Sequence, residues 1–169
     1  WEWDGTTWTQ AQPLVSPSAR SWHRLAWHSA MQRVVLFGGS GGALGLLPDH
    51  WEWDGQQWTQ RPLAAVALSV GGNELLVYDT TNQRVLMYDT SCYSCMWAWD
   101  GASWTVIDRS GTGSLVFSGP MVWDQARGRI VMFGGRDGLG QTNWTWEWSG
   151  TWQRMSQLVS PREYTRPPM

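Results

Sequence analysis

Short apolar runs alternate with polar turns along the whole chain, and nowhere does an apolar stripe of helical period extend between helix caps. The most regular pattern has a period of two. Trp51-Glu52-Trp53-Asp54-Gly55-Gln56-Gln57-Trp58 alternates aromatic and polar residues, breaks at Asp-Gly and resumes with another Trp. Asp-Gly between alternating apolar residues predicts a β-hairpin, because the turn needs positive φ and matches the strand twist. The pattern begins again at Trp1, Trp97 and Trp146, at spacings of 50, 46 and 49 residues, with return-strand Trp8, Trp104 and Trp152. Twelve of the sixteen Trp fall on this one set of positions.

A second pattern lies between the hairpins. Arg33-Val34-Val35-Leu36-Phe37-Gly38-Gly39 aligns with Arg84-Val85-Leu86-Met87-Tyr88-Asp89-Thr90 and with Arg129-Ile130-Val131-Met132-Phe133-Gly134-Gly135. Each is a short continuous aliphatic run, as expected of a strand buried on both faces. The Gly pair permits positive φ and close backbone approach where the strand ends, and the second copy, lacking it, is expected to turn differently. A further strand precedes each run: residues 22–28 align with 73–79 and 118–124, placing Trp27, Tyr78 and Trp123 in register. Polar turns join the two strands.

Each unit thus holds four antiparallel strands, at 22–28, 33–37, 51–53 and 58–60 in the best-defined copy. The expected class is all-β. Four-stranded units repeated at this spacing are the sequence signature of a β-propeller. The chain opens on a third strand and closes on residues 160–164, which align with 16–20, so the units divide as follows. Residues 1–15 form the outer hairpin of a first blade, 16–62, 63–109 and 110–155 form three full blades, and 156–169 lead into another. Closed propellers need roughly four to eight blades. An open arc would expose large apolar faces, so the remaining blades are expected from a longer chain or from further copies of this one.

At Arg20-Ser21-Trp22-His23, at the Val-Val-Leu-Phe-Gly-Gly run and at Trp-x-Trp-Asp-Gly-x-x-Trp, the chain resembles the kelch repeat family, of the galactose-oxidase-like central propeller type. The likeness covers nearly the whole chain. It departs in the second unit, without Gly-Gly, and at Ser149-Gly150-Thr151-Trp152, one residue short and without Asp. The resemblance implies a kelch-like propeller fold and a hydrogen-bonding role for His23 at a blade edge. It also brings in the copper oxidases of that type, whose metal is held by His and Tyr.

Composition narrows the functions. At 169 residues, folding would bury about 68–70% of the unfolded surface. With 42% hydrophobic, 14% aromatic and 15% charged residues, disorder is not expected. A net charge of −2 and 12 singly scattered basic residues, none of them Lys, give no footprint for nucleic acid. No apolar stretch is long enough to span a bilayer as a helix. Cys92 and Cys95 lack the second pair that a structural zinc site commonly uses, and no helix follows them as in a thioredoxin-like motif. A small local disulfide or two reduced thiols remain. Few charges, no Lys and that possible disulfide favour an extracellular or cell-surface location.

No residues converge into a catalytic set. Trp3, Trp53, Trp99 and Trp148 repeat too regularly to form one site and are expected to pack between blades. Trp22 and Trp144 lie outside the repeated set and are the better candidates for stacking on sugars. His23 and His28, five apart on one strand, point to opposite faces and cannot share a metal. His50 precedes Trp51 on the loop side, as a surface residue or part of a rim site. Asp4, Asp54 and Asp100 serve turns and diverge, unlike the paired carboxylates of a glycosidase. The Gly-rich stretch 38–45 lacks the Lys-Ser/Thr ending and the helix of a phosphate cradle. It is expected to be a loop, like 136–143 with Arg136 and Asp137, and long loops on one face are where function usually sits. The ligand-binding candidates are therefore Trp22, His50, Trp144, Arg136 and Asp137, with no cofactor or metal. The expected function is a non-catalytic module presenting loops to a protein partner. A glycan-binding propeller, the propeller of a copper enzyme and a self-assembling structural protein are the alternatives.

Overall fold

The structure is a computed structural model that describes residues 1–63, 74–92, 94–110, 119–137 and 139–156. Among these the chain is all-β but for one short 3-10 turn, Gly42–Leu44. Strands β1 (Glu2–Trp3) and β2 (Trp8–Thr9) form a hairpin. The first four-stranded sheet contains β3 (Arg24–His28), β4 (Arg33–Phe37), β5 (His50–Trp53) and β6 (Trp58–Arg61). The second contains β7 (Leu75–Asp79), β8 (Arg84–Asp89), β9 (Cys95–Trp99) and β10 (Trp104–Asp108). The third is built from β11 (Met121–Asp124) and β12 (Arg129–Phe133), a small separate hairpin of β13 (Arg136–Asp137) and β14 (Gly140–Gln141) intervening, then β15 (Thr145–Trp148) and β16 (Trp152–Arg154). All three sheets are antiparallel and ordered by chain sequence. Their registers correspond: Leu25 faces Leu36, Leu76 faces Met87 and Met121 faces Met132.

Turn chemistry sets these registers. Gly5, Gly55, Gly101 and Gly150 all have φ between 95° and 114°, whereas the Asp residues beside the first three do not adopt positive φ. The connection holds four residues, since Trp53 pairs with Trp58, and the Asp acts through its carboxylate. Asp54 Oδ1 accepts from the backbone N–H groups of Gln56 and Gln57 at 2.9 and 2.8 Å, and Asp4 and Asp100 do the same in their turns. The turns between first and second strands use His28, Asp79 and Asp124 in the same way. His28 Nδ1 accepts from Met31 N–H, Asp79 Oδ1 from Thr81 and Asn82, and Asp124 Oδ1 from Arg127.

Two cores lie between sheets. Alternate residues of the first sheet, Ala26, Val35 and Phe37, pack with Val85, Met87, Trp97, Trp99 and Trp104 of the second. The opposite face of the second sheet, with Leu75, Val77, Leu86 and Tyr88, packs with Ile130, Met132, Trp146 and Trp148 of the third. Each buried indole contributes on the order of 4 kcal/mol of transfer free energy. The first strands also touch in succession, β3 against β7 and β7 against β11.

Some boundaries differ from expectation. Trp22 is not in the first strand, because its φ of 59° is incompatible with an extended backbone. The third strand of the first sheet begins at His50 rather than Trp51, and that of the second at Cys95. The second unit, without Gly-Gly, turns through Asp89, whose Oδ1 accepts from Ser91 N–H at 2.8 Å. Residues 157–169 of the expected lead-in, and Asn73 and Ser118 at the starts of two expected strands, lie outside the described residues.

Candidate functional site

At two of three steps the middle residue of the Trp-x-Trp strand links a sheet to the next. Trp53 Nε1 donates to Glu2 Oε1 at 2.9 Å, and Trp99 Nε1 donates to Glu52 Oε1 at 3.2 Å. At the next step Ala98 stands where the carboxylate would be, and Trp148 Nε1 donates instead to Asp108 Oδ2 at 2.8 Å. Glu52 is wholly buried and its other oxygen accepts from Arg61 Nε at 2.8 Å. A buried carboxylate without such partners would be costly, and here every link satisfies an indole N–H as well. The sequence signal was a charged residue inside an aromatic triplet, at Glu2, Glu52 and Glu147.

His50 belongs to this core and not to a rim, which corrects its placement as a surface candidate. It is fully buried, its ring edge-on to Trp99 at 4.4 Å, and its Nδ1 accepts from Trp104 Nε1 at 3.2 Å. Burial, helped by the Arg61 charge and opposed by Asp49, pushes its pKa down to about 4. Its Nε2 lies 3.9 Å from Glu52 Oε1. At neutral pH the imidazole carries no charge, so this contact is not an ion pair.

The two long loops between second and third strands are pinned at their bases. Beside the first sheet the Arg20 side chain is buried and donates to Gly38 O at 3.0 Å and to both oxygens of Asp49, which also accepts from Trp51 Nε1 at 2.8 Å. Burial works against the Asp49 charge, but the hydrogen bonds from Arg20 and Trp51 hold its carboxyl below the usual range. Gly39 has a φ of 103°, and a Cβ there would stand 2.8 Å from Ser21 O. Above this base the loop exposes Leu44 and Leu46, and Trp22 beside it is 69% exposed. In the third sheet Asp137 Oδ1 accepts from Leu139 and Gly140 N–H at 2.8 and 2.9 Å, closing the β13–β14 turn with Leu139 99% exposed and Arg136 exposed.

Trp144 is half-buried: its ring lies edge-on to Trp146 at 6.4 Å with the Arg154 guanidinium 4.8 Å over it, against the core between second and third sheets. The five sequence candidates therefore do not converge. His50 and Trp144 are parts of two different cores, Trp22 lies in the connection before β3, and Arg136 and Asp137 form β13 of a small hairpin, which corrects the expectation of a loop there. Cys92 and Cys95, with Cα atoms 5.6 Å apart, are joined as a disulfide.

A cleft of about 450 Å³ lies between the β1–β2 hairpin and the first sheet, lined by Glu2, His23, Leu25, Val34, Leu36 and Trp53 among others. His23 Nδ1 has no hydrogen-bond partner among the described residues, so the role that the resemblance implied for it is not seen. Burial, then the charges of Arg20 and Arg24, lower its pKa. Sequence reasoning did not anticipate this cleft.

Among the described residues no three His, Cys, Asp or Glu side chains gather where they could hold a metal ion. No helix among them is long and apolar enough to cross a membrane. No family model matches the chain, and no curated protein matches it.

Proposed function

We propose that the chain is an arc of a kelch-type β-propeller and a non-catalytic interaction module, presenting the loops between second and third strands to a protein partner. Three features support the arrangement. Successive sheets pack face to face, their first strands meet in order, and an indole–carboxylate bond recurs at each step. The third-strand Trp of the three four-stranded sheets are consumed by that packing, whereas Trp1 and Trp3 of the β1–β2 hairpin stay exposed, although Trp3 is expected to pack in the same way. The observation that carries the reading is the set of exposed leucines on pinned loops, Leu44, Leu46 and Leu139. Apolar side chains held on rigid bases suit a protein surface, where they bury area without first ordering the loop. An extracellular or cell-surface setting fits the Cys92–Cys95 disulfide.

Affinity enrichment with the wild-type chain and with an L44D/L139D variant of unchanged melting temperature tests the reading. Protein partners retained by the wild type and lost by the variant support it. Identical partner sets for both would overturn it. Trp22 supports a second reading, because its indole is exposed and stacking on a sugar face needs an open ring. Saturable binding on a glycan array that is abolished by Trp22→Ala would favour a glycan ligand over a protein.

A further inference from the structure

The contact that joins the sheets is directional. One face of each sheet, with a carboxylate of its third strand at two steps and of its fourth strand at the other, receives the opposite face of the next, which supplies the indole. Two such faces lack a mate among the described residues. At one end the β1–β2 hairpin exposes Trp1, Trp3 and Trp8 at 73%, 52% and 60%. Trp3 and Trp8 stack at 5.4 Å, as Trp53 and Trp58 do at 5.4 Å. Trp3 holds the position of Trp53, Trp99 and Trp148, the indole donors. At the other end the third sheet presents Val122, 57% exposed, with Val131, Phe133 and Glu147. These align with Ala26, Val35, Phe37 and Glu52, the face of the first sheet that is buried against the second. None of Val122, Val131 and Phe133 belongs to either core.

We propose that this chain associates head to tail with a second copy of itself. The Trp1-Trp3-Trp8 surface of one copy seats on the Val122-Val131-Phe133 face of the other, and Trp3 Nε1 donates to Glu147. Continuity with the internal contact identifies the occupant, because the two free faces match the pair already joined twice inside the chain. Glu147 is prepared for this role. Arg127 and Arg129 donate to its two oxygens at 2.6 and 2.8 Å and fix the carboxylate. Each oxygen has a second lone pair for an indole N–H. The contact is heterologous, so it builds closed rings, the smallest a pair of copies that makes the contact twice, or open chains. It requires only the sheet-to-sheet contact, and stands whether or not the loops bind a protein.

Sedimentation of the 169-residue chain across the micromolar range tests this, with one substitution on each face. Val122→Glu places a charge on the tail face at an exposed position, and Trp3→Ala removes the head. Gln153→Arg, exposed and opposite Glu147, is a second tail block should Val122→Glu fail to give a native melt. The wild type is expected to gain mass with concentration, and each variant alone to associate at least tenfold more weakly. A mixture of a head and a tail variant is expected to form a one-to-one dimer and nothing larger, since one good pair of faces remains. A monomeric wild type, variants that associate like it, or a mixture that stays monomeric would each overturn the proposal.

Discussion

Trp99 Nε1 donates to Glu52 Oε1 at 3.2 Å across the space between the first two sheets, and both side chains are buried. The same carboxylate accepts from Arg61 at 2.8 Å. Glu52→Ala would leave an indole N–H and a guanidinium without their acceptor. Breaking such a buried pair costs about 3–5 kcal/mol. Urea unfolding checks this. Glu52→Gln, which keeps an acceptor but loses the charge, is expected to lose less. A change within the noise of unfolding for Glu52→Ala would show that the carboxylate does not join the sheets.

Acid is expected to destabilise the fold through His50. Its folded pKa, about 4, lies below the ordinary value of 6.5, so between these values the unfolded chain binds more protons. Stability is then complete above the unfolded pKa and declines as pH falls toward 4, by at most about 1.4 kcal/mol per pH unit. Burial of His28 lowers its pKa and acts in the same direction. Thermal melts between pH 7 and pH 4 should show a shallower decline for His50→Phe than for wild type. Equal slopes would mean that His50 is not held neutral in the core.

At Gly39 a side chain has no room. The φ of 103° is outside the range that L-residues favour, and a Cβ would meet Ser21 O at 2.8 Å. Gly39→Ala should destabilise the chain by about 1–3 kcal/mol. It should also loosen the bridge of Ser21 with Ser40, read as faster amide exchange at those two residues. A neutral Gly39→Ala would mean that the strand ends differently.

Thiol titration of the native chain should find no free sulfhydryl without reductant and two after reduction, from Cys92 and Cys95. The loop closed is short, so its loss should cost about 2 kcal/mol or less. Two free thiols in protein prepared under oxidising conditions would remove the support for an exported location.

Strands β4, β8 and β12 were legible because a continuous aliphatic run between polar turns has few other readings. Hairpins were legible from Asp-Gly, although the mechanism differs, since the Asp carboxylate and not its φ makes the turn. His50 was not legible as core. Pro48 and Asp49 before it suggest a loop, and only the neighbouring sheet supplies Trp99 and Trp104, the rings that enclose it. The carboxylate–indole bonds were hidden for the same reason: the donor lies 51, 47 and 40 residues from its acceptor. Asp137 and Gly138 carried the Asp-Gly signal of the extra β13–β14 hairpin, but no apolar alternation flanks them. The exposed leucines gave no signal, because an isolated Leu in a loop looks like any other.

The central claim is that the recurring Trp residues join successive sheets through carboxylates. A double-mutant cycle between Glu52 and Trp99, using Glu52→Ala, which removes the acceptor, and Trp99→Phe, which removes the donor, and read by urea unfolding, tests it most directly. The expected coupling is about 1–3 kcal/mol, the range for residues sharing a buried hydrogen bond. Additive effects within about 0.3 kcal/mol would contradict the account, because the two residues would then be independent.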